Sequence, residues 1–148
     1  RLSEALGLRV GDLQIESKVP YVNIEPSSAR KLKTKSSKRQ IPLVGLSLWA
    51  AQQIVKNVND EFAFPHYTIK DYCHTNSASA ALNKWLKSRV PDHCVVHSFR
   101  HSIRDRLREI NCPTEMIDQI GGWSDSRMGS SYGNGYSLVK LNELLIII

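Results

Sequence analysis

The sequence predicts one α+β domain, mainly helical, with a small antiparallel β-sheet near its start. Three observations lead there. Short segments rich in β-branched and aromatic residues cluster before residue 45. Beyond that point apolar residues recur at helical spacing. A chain of 148 residues that is 41% hydrophobic suits a single core and leaves no room for two domains of ordinary size.

The elements follow in order. Residues 1–8 (RLSEALGL) read as the back half of a helix, ended by Gly7. No N-cap residue precedes it, so the chain is expected to be cut from something longer. Residues 13–17, 21–24 and 40–44 are strand candidates, and the second and third are joined by a basic hairpin loop. Residues 46–58 form a helix; residues 62–72, which contain Pro65, are mixed. Residues 78–90 form a helix with Leu82, Trp85 and Leu86 on one face, stopped by Pro91. In the helix at 98–110, Phe99, Ile103, Leu107 and Ile110 make one core-facing stripe. Pro113 suits the first turn of the next helix, which Gly121-Gly122 closes. Ser124 or Asp125 can cap a short helix reaching about Tyr132, and Ser137 can cap a last one over residues 138–147. In that last helix Leu138, Leu141, Leu144 and Leu145 form an apolar stripe that has to dock, on its own domain or on a neighbouring protomer.

Composition narrows the function. The longest apolar run, residues 144–148, is far too short for the ~20 residues that span a bilayer. No secretory signal pattern opens the chain, and three cysteines make no disulfide framework, so a reducing cytoplasm is expected. Lys and Arg total 20 against 14 Asp and Glu, a net charge of +6. Residues 30–39 (RKLKTKSSKR) hold six of the cations and no acid, which leaves the remainder balanced. A charge excess focused in one segment suits a polyanionic partner, although a solvated basic hairpin has the same composition.

His97, Arg100, His101 and Arg104 fall at 0, +3, +4 and +7 on one helical stripe, apart from the apolar one. Guanidiniums offer bidentate forks to a phosphate, and imidazoles pass protons near neutral pH. Downstream lie Gly122-Trp123 and, nine residues after the tryptophan, Tyr132. Upstream lie Arg1-Leu2-Ser3-Glu4 (R-x-x-E) and the run Lys33-Thr34-Lys35-Ser36-Ser37-Lys38-Arg39-Gln40-Ile41-Pro42-Leu43. In this order and spacing the set resembles the catalytic domain of the tyrosine recombinases, or phage-type integrases. The segment Gly129-Ser130-Ser131-Tyr132-Gly133-Asn134-Gly135-Tyr136 resembles the bacteriophage and genomic-island branch.

The resemblance implies a DNA breaking–rejoining architecture, with residues 1–148 as a C-terminal catalytic domain, truncated at its start, whose upstream DNA-binding domains are absent. It implies attack by Tyr132 on a phosphodiester, giving a 3′-phosphotyrosine and a free 5′-hydroxyl, in prophage or mobile-element integration and excision. Arg1 and Arg100 would neutralise the phosphate, and Lys33 would protonate the leaving oxygen. His97 would act as a base or orienting partner, and Trp123 as a hydrogen-bond donor and packing group. No cofactor or metal is implied. The partners implied are double-stranded attachment sites, other protomers in a tetrameric synapse and host DNA-bending proteins, with no membrane.

Each residue has a plainer reading. Arg1 can pair with Glu4 on the helix surface, Lys35 competes with Lys33, and Trp123 can serve the core alone. His101 can support the site or simply be a satisfied helix residue. Glu4 and Asp12 read as ion-pair or capping groups that brace the structure. Cys73-His74 and His93-Cys94 lack the spacing of structural zinc ligands. Two further functions stay open: a type IB topoisomerase-like relaxing enzyme, and a non-catalytic DNA-binding prophage remnant. The spacing sets the nucleophile test. Tyr132→Phe should abolish a covalent protein–DNA adduct and leave DNA binding intact, while Tyr136→Phe should keep the adduct. Denaturing gels with labelled DNA read both, and the reverse pattern would move the nucleophile.

Overall fold

A computed structural model describes residues 1–123 and 135–148. The short helix predicted after Gly122, with Ser124, Asp125 and Tyr132, lies outside the described residues. The architecture is mixed helix and small antiparallel sheets. Helix α1 (Leu2–Leu6) leads through a 3₁₀ turn (Val10–Asp12) into strand β1 (Leu13–Gln14), then β2 (Tyr21–Ile24) and β3 (Arg39–Pro42). After α2 (Gly45–Asn57) come a small hairpin, β4 (Thr68–Ile69) and β5 (Tyr72–Cys73), and helices α3 (Thr75–Leu86), α4 (Ser98–Glu109), α5 (Thr114–Gly121) and α6 (Leu138–Ile147).

The three-stranded sheet runs β1-β2-β3, antiparallel throughout. Leu13 pairs with Val22, and Val22 with Ile41. Alternation along β2 buries Val22 and Ile24. With Leu8, Leu13, Leu43, Ala51 and Ala63 they form a first core beneath α2. A second core joins α4, α5 and α6 through Leu107, Met116, Ile117, Ile120, Leu141 and Leu145. Ile41 packs against both cores, so β3 is the seam between the two halves of the domain.

The last helix forms as its cap predicts: the Ser137 hydroxyl accepts from the Lys140 amide at 3.3 Å. It docks on β3 and the second core, burying Leu141 and Leu145, while Val139, Ile146 and Ile147 stay exposed.

Several expectations are corrected. The helix placed at residues 78–90 is Thr75–Leu86, and of its proposed face only Leu86 is buried; Leu82 and Trp85 are exposed. Phe99, placed on the α4 core stripe, is 66% exposed, because α5 and α6 cover only the later turns, at Ile103, Leu107 and Ile110. The first strand ends at Gln14 rather than residue 17. The mixed segment contains the β4–β5 hairpin, whose turn residues Lys70 and Asp71 take positive φ.

The basic run is less free than its composition suggests. Arg30 is 2% exposed and donates to the Asp12 carboxylate at 2.8 Å, to the Glu25 carbonyl at 2.6 Å and to the Gly7 carbonyl at 3.2 Å. Arg39 is likewise paired with Glu4, and Lys38 meets Glu25 at the surface. Leu107 is the most enclosed aliphatic residue of the second core, with no exposed surface. Leu107→Ala should cost about 2–5 kcal/mol, read as a lower urea midpoint with an unchanged slope.

Candidate functional site

The site begins with a buried carboxylate. Glu4, on α1, is 3% exposed. Its Oε1 accepts from Arg1 Nη1 at 2.5 Å and its Oε2 from Arg39 Nη2 at 3.0 Å. Arg39 spends its other nitrogens on backbone: Nε donates to the Ile120 carbonyl at 2.9 Å and Nη1 to the Ser37 carbonyl at 2.6 Å. Arg1 Nη1 also donates to Ser37 Oγ at 2.7 Å, and Nη2 reaches the Gly122 carbonyl at 3.5 Å. One carboxylate thus ties α1 to the basic loop, and Arg39 carries the tie on to the end of α5. Burial opposes the carboxylate's charge, but the Arg39 cation and the N-terminal ammonium of Arg1, with hydrogen bonds from the Arg1 and Arg39 side chains, hold its pKa down to about 2.

The Gly121-Gly122-Trp123 segment is shaped for contact. A side chain on Gly121 would overlap the Trp123 ring, its Cβ 1.7 Å from the nearest ring carbon. Gly122 closes α5 in the left-handed region (φ 63°), and a Cβ there would press on the Arg39 guanidinium at 2.6 Å. The indole therefore folds back over the helix end. The Arg100 guanidinium carbon lies 4.3 Å from its ring centroid.

Arg1, Arg39, His97, Arg100 and Trp123 line one cleft of about 1200 Å³. Arg1 and Trp123 are separated by more than 120 positions, and α1, β3, α4 and the end of α5 all contribute to it. His97 stands at the N-terminus of α4, exposed, with its ring edge-on to His101 at 5.3 Å. Asn83 of α3 anchors the approach to that helix, accepting the Val96 amide at 2.8 Å. Arg100 Nη2 is buried and has no hydrogen-bond partner among the described residues. Burial, and then the neighbouring Arg1 cation, lowers the Arg100 pKa. A buried donor held in this state favours an anionic oxygen.

Of the expected site residues, Arg1, His97, Arg100 and Trp123 are brought together here. Lys33 is exposed and does not line the cleft, although Thr34 beside it joins a hydroxyl network through Ser37, 3.0 Å away, to Arg1. Tyr132 lies outside the described residues. Tyr136 is held elsewhere: its backbone exchanges two hydrogen bonds with the Gln119 side chain, and its hydroxyl donates to Glu115 at 3.3 Å. Burial and the Glu115 carboxylate raise its pKa. Arg1 both pairs with Glu4 and lines the cleft. Glu4 and Asp12 are ion-pair groups as read, and Asp12 also caps its 3₁₀ turn by accepting the Arg9 amide at 2.9 Å. Sequence reasoning missed Arg39 and Ser37 as organisers of the cleft; the one signal was their place in the run leading to Ile41-Pro42-Leu43.

The sequence pattern of the phage integrase family matches residues 1–137, most of the chain. The chain belongs to the phage integrase family. That membership points to site-specific tyrosine recombinase activity on DNA. No curated protein and no solved structure matches the chain significantly. Among the described residues, no helix is long and apolar enough to cross a membrane.

The Glu4 tie makes stability depend on acid pH. Its folded pKa of about 2 lies below the ordinary 4.5, so its contribution is complete above about pH 5. That contribution, roughly 3 kcal/mol, is lost as pH falls through 4.5 toward 2. Urea unfolding should show Glu4→Gln destabilised by several kcal/mol at pH 7, with the gap to wild type shrinking toward pH 3.

Proposed function

We propose that this integrase-family chain is the catalytic unit of a site-specific DNA recombinase of the phage or mobile-element branch. Tyr132 attacks the scissile phosphorus; its P–O bond forms as the bond to the 5′-oxygen breaks. A phenol has a pKa of ~10, so neighbouring cations or a base must favour its ionised form in the attack. Arg1 and Arg100 take the non-bridging oxygens and neutralise the charge that builds on the pentavalent transition state. Lys33 gives its proton to the departing 5′-oxygen, and His97 orients or deprotonates the nucleophile. Trp123 packs under Arg100 and can offer its indole N–H. The phosphotyrosine keeps the bond energy of the phosphodiester, so rejoining needs only a 5′-hydroxyl to attack it. The substrates are double-stranded attachment sites, on which several protomers assemble.

The observation that supports this reading best is the cleft itself. Four motif side chains from three distant segments of the chain line it, and one of them presents a buried guanidinium nitrogen without a partner among the described residues. Lys33 does not line the cleft and has to turn in toward the phosphate when DNA is bound, as is common for groups that complete a site with substrate. The test is a nicked suicide duplex that traps the covalent adduct. The wild-type chain should form the adduct with or without EDTA, because guanidiniums supply the charge that a metal would. Arg100→Ala should slow its formation roughly 10²- to 10³-fold. Tight DNA binding with no adduct on any attachment-site duplex would leave a binding module instead.

A further inference from the structure

Arg104 has no task in the mechanism above. It stands one helical turn beyond Arg100 on α4 and is 34% exposed. Its guanidinium carbon lies 5.0 Å from the centroid of the same Trp123 ring that Arg100 approaches at 4.3 Å. Its Nη2 is 3.9 Å from Asp118 Oδ1, too far for a hydrogen bond, and its buried Nε has no partner among the described residues. The Asp118 carbonyl meanwhile accepts the amides of Gly122 and Trp123, the latter at 3.0 Å.

This arrangement is unfavourable for a residue that only fills space. Two like charges one turn apart repel, and the Arg104 cation contributes to lowering the Arg100 pKa. A methionine would cover the indole without that cost. What offsets the repulsion is the ring together with the Asp118 carboxylate 3.9 Å away: the ring's negative face attracts both guanidiniums, and a planar guanidinium can stack flat on it, which an ammonium cannot. We infer that Arg104 is a positioning residue. With Asp118 it holds the Trp123 indole, and the indole sets the angle of the Arg100 guanidinium, leaving Nη2 free for an oxygen of the scissile phosphate. The inference rests on the catalytic reading for Arg100 and deepens it.

The test uses the full chain with Arg104→Lys and Arg104→Met. At saturating suicide duplex, single-turnover cleavage should slow roughly ten- to a hundredfold in both, since small misplacement of a catalytic group is costly. DNA affinity should stay within about twofold, with an unchanged salt slope. Combined with Trp123→Phe, either change should add little to the loss caused by Trp123→Phe alone. Three results would overturn the inference: full rate in the lysine variant, additive losses with Trp123→Phe, or weaker binding with a salt slope smaller by about one. The last marks a direct phosphate contact. Should Arg104→Met not fold, the lysine variant, which keeps charge and alkyl stem, carries the test. A wild-type chain that forms no adduct would sink the catalytic reading alone. The positioning inference would then be judged by Trp123 emission in a Trp49→Phe, Trp85→Phe background. Both Arg104 variants must shift that emission, and an unchanged spectrum overturns the inference.

Discussion

The domain depends on a carboxylate held between two guanidiniums. Glu4 is almost fully buried, and a charge in that position is tolerable only with strong, well-directed partners. Arg39 meets the demand by satisfying all three of its nitrogens, on Glu4, Ser37 and Ile120. These bonds join the first helix, the basic loop and the end of α5, segments that neither core packs together directly. A lysine could not take this role, since it offers one charged atom in place of a planar fork. The first function of the basic segment is thus internal, and only part of its charge is left for a polyanion.

The same framework explains why Arg100 can be held unsatisfied. Around it stand Arg1, Arg39, Arg104 and the Trp123 indole, and the acid whose charge it feels is Glu4. Glu4 is already engaged by Arg1 and Arg39. An acid free to reach Arg100 would quench the site by forming an ion pair there. The glycines at the end of α5 complete the arrangement: Gly121 makes room for the ring that carries Arg100, and Gly122 lets the Arg39 guanidinium pass close to the backbone. Stability and anion recognition are in this way assigned to adjacent arginines by their partners rather than by their chemistry.

Much of this was legible in the chain, because local rules decide it. The helical period marks α2, α4 and α6, the hydroxyl of Ser137 caps the last helix, and the ordered motif residues include Arg1, His97, Arg100 and Trp123 of the cleft. What periodicity conveys is a face, not whether a neighbour covers that face. Phe99, Leu82 and Trp85 share stripes with core residues yet remain exposed, because the packed elements stop short of them.

By itself, then, the sequence determined the mixed helix–sheet class, the family and the residues from which a phosphate site could be built. Only the tertiary structure decided which cations are spent and which are free. Arg30 and Arg39 stand in one run with Lys31 and Lys33, and composition treats them alike. Their separation depends on Asp12 and Glu4, carboxylates 18 and 35 positions away, whose approach is set by strand pairing and helix packing. The stacking of Arg100 and Arg104 on Trp123 is of the same kind: it needs the end of α5 folded back against α4, a long-range contact that no local pattern encodes.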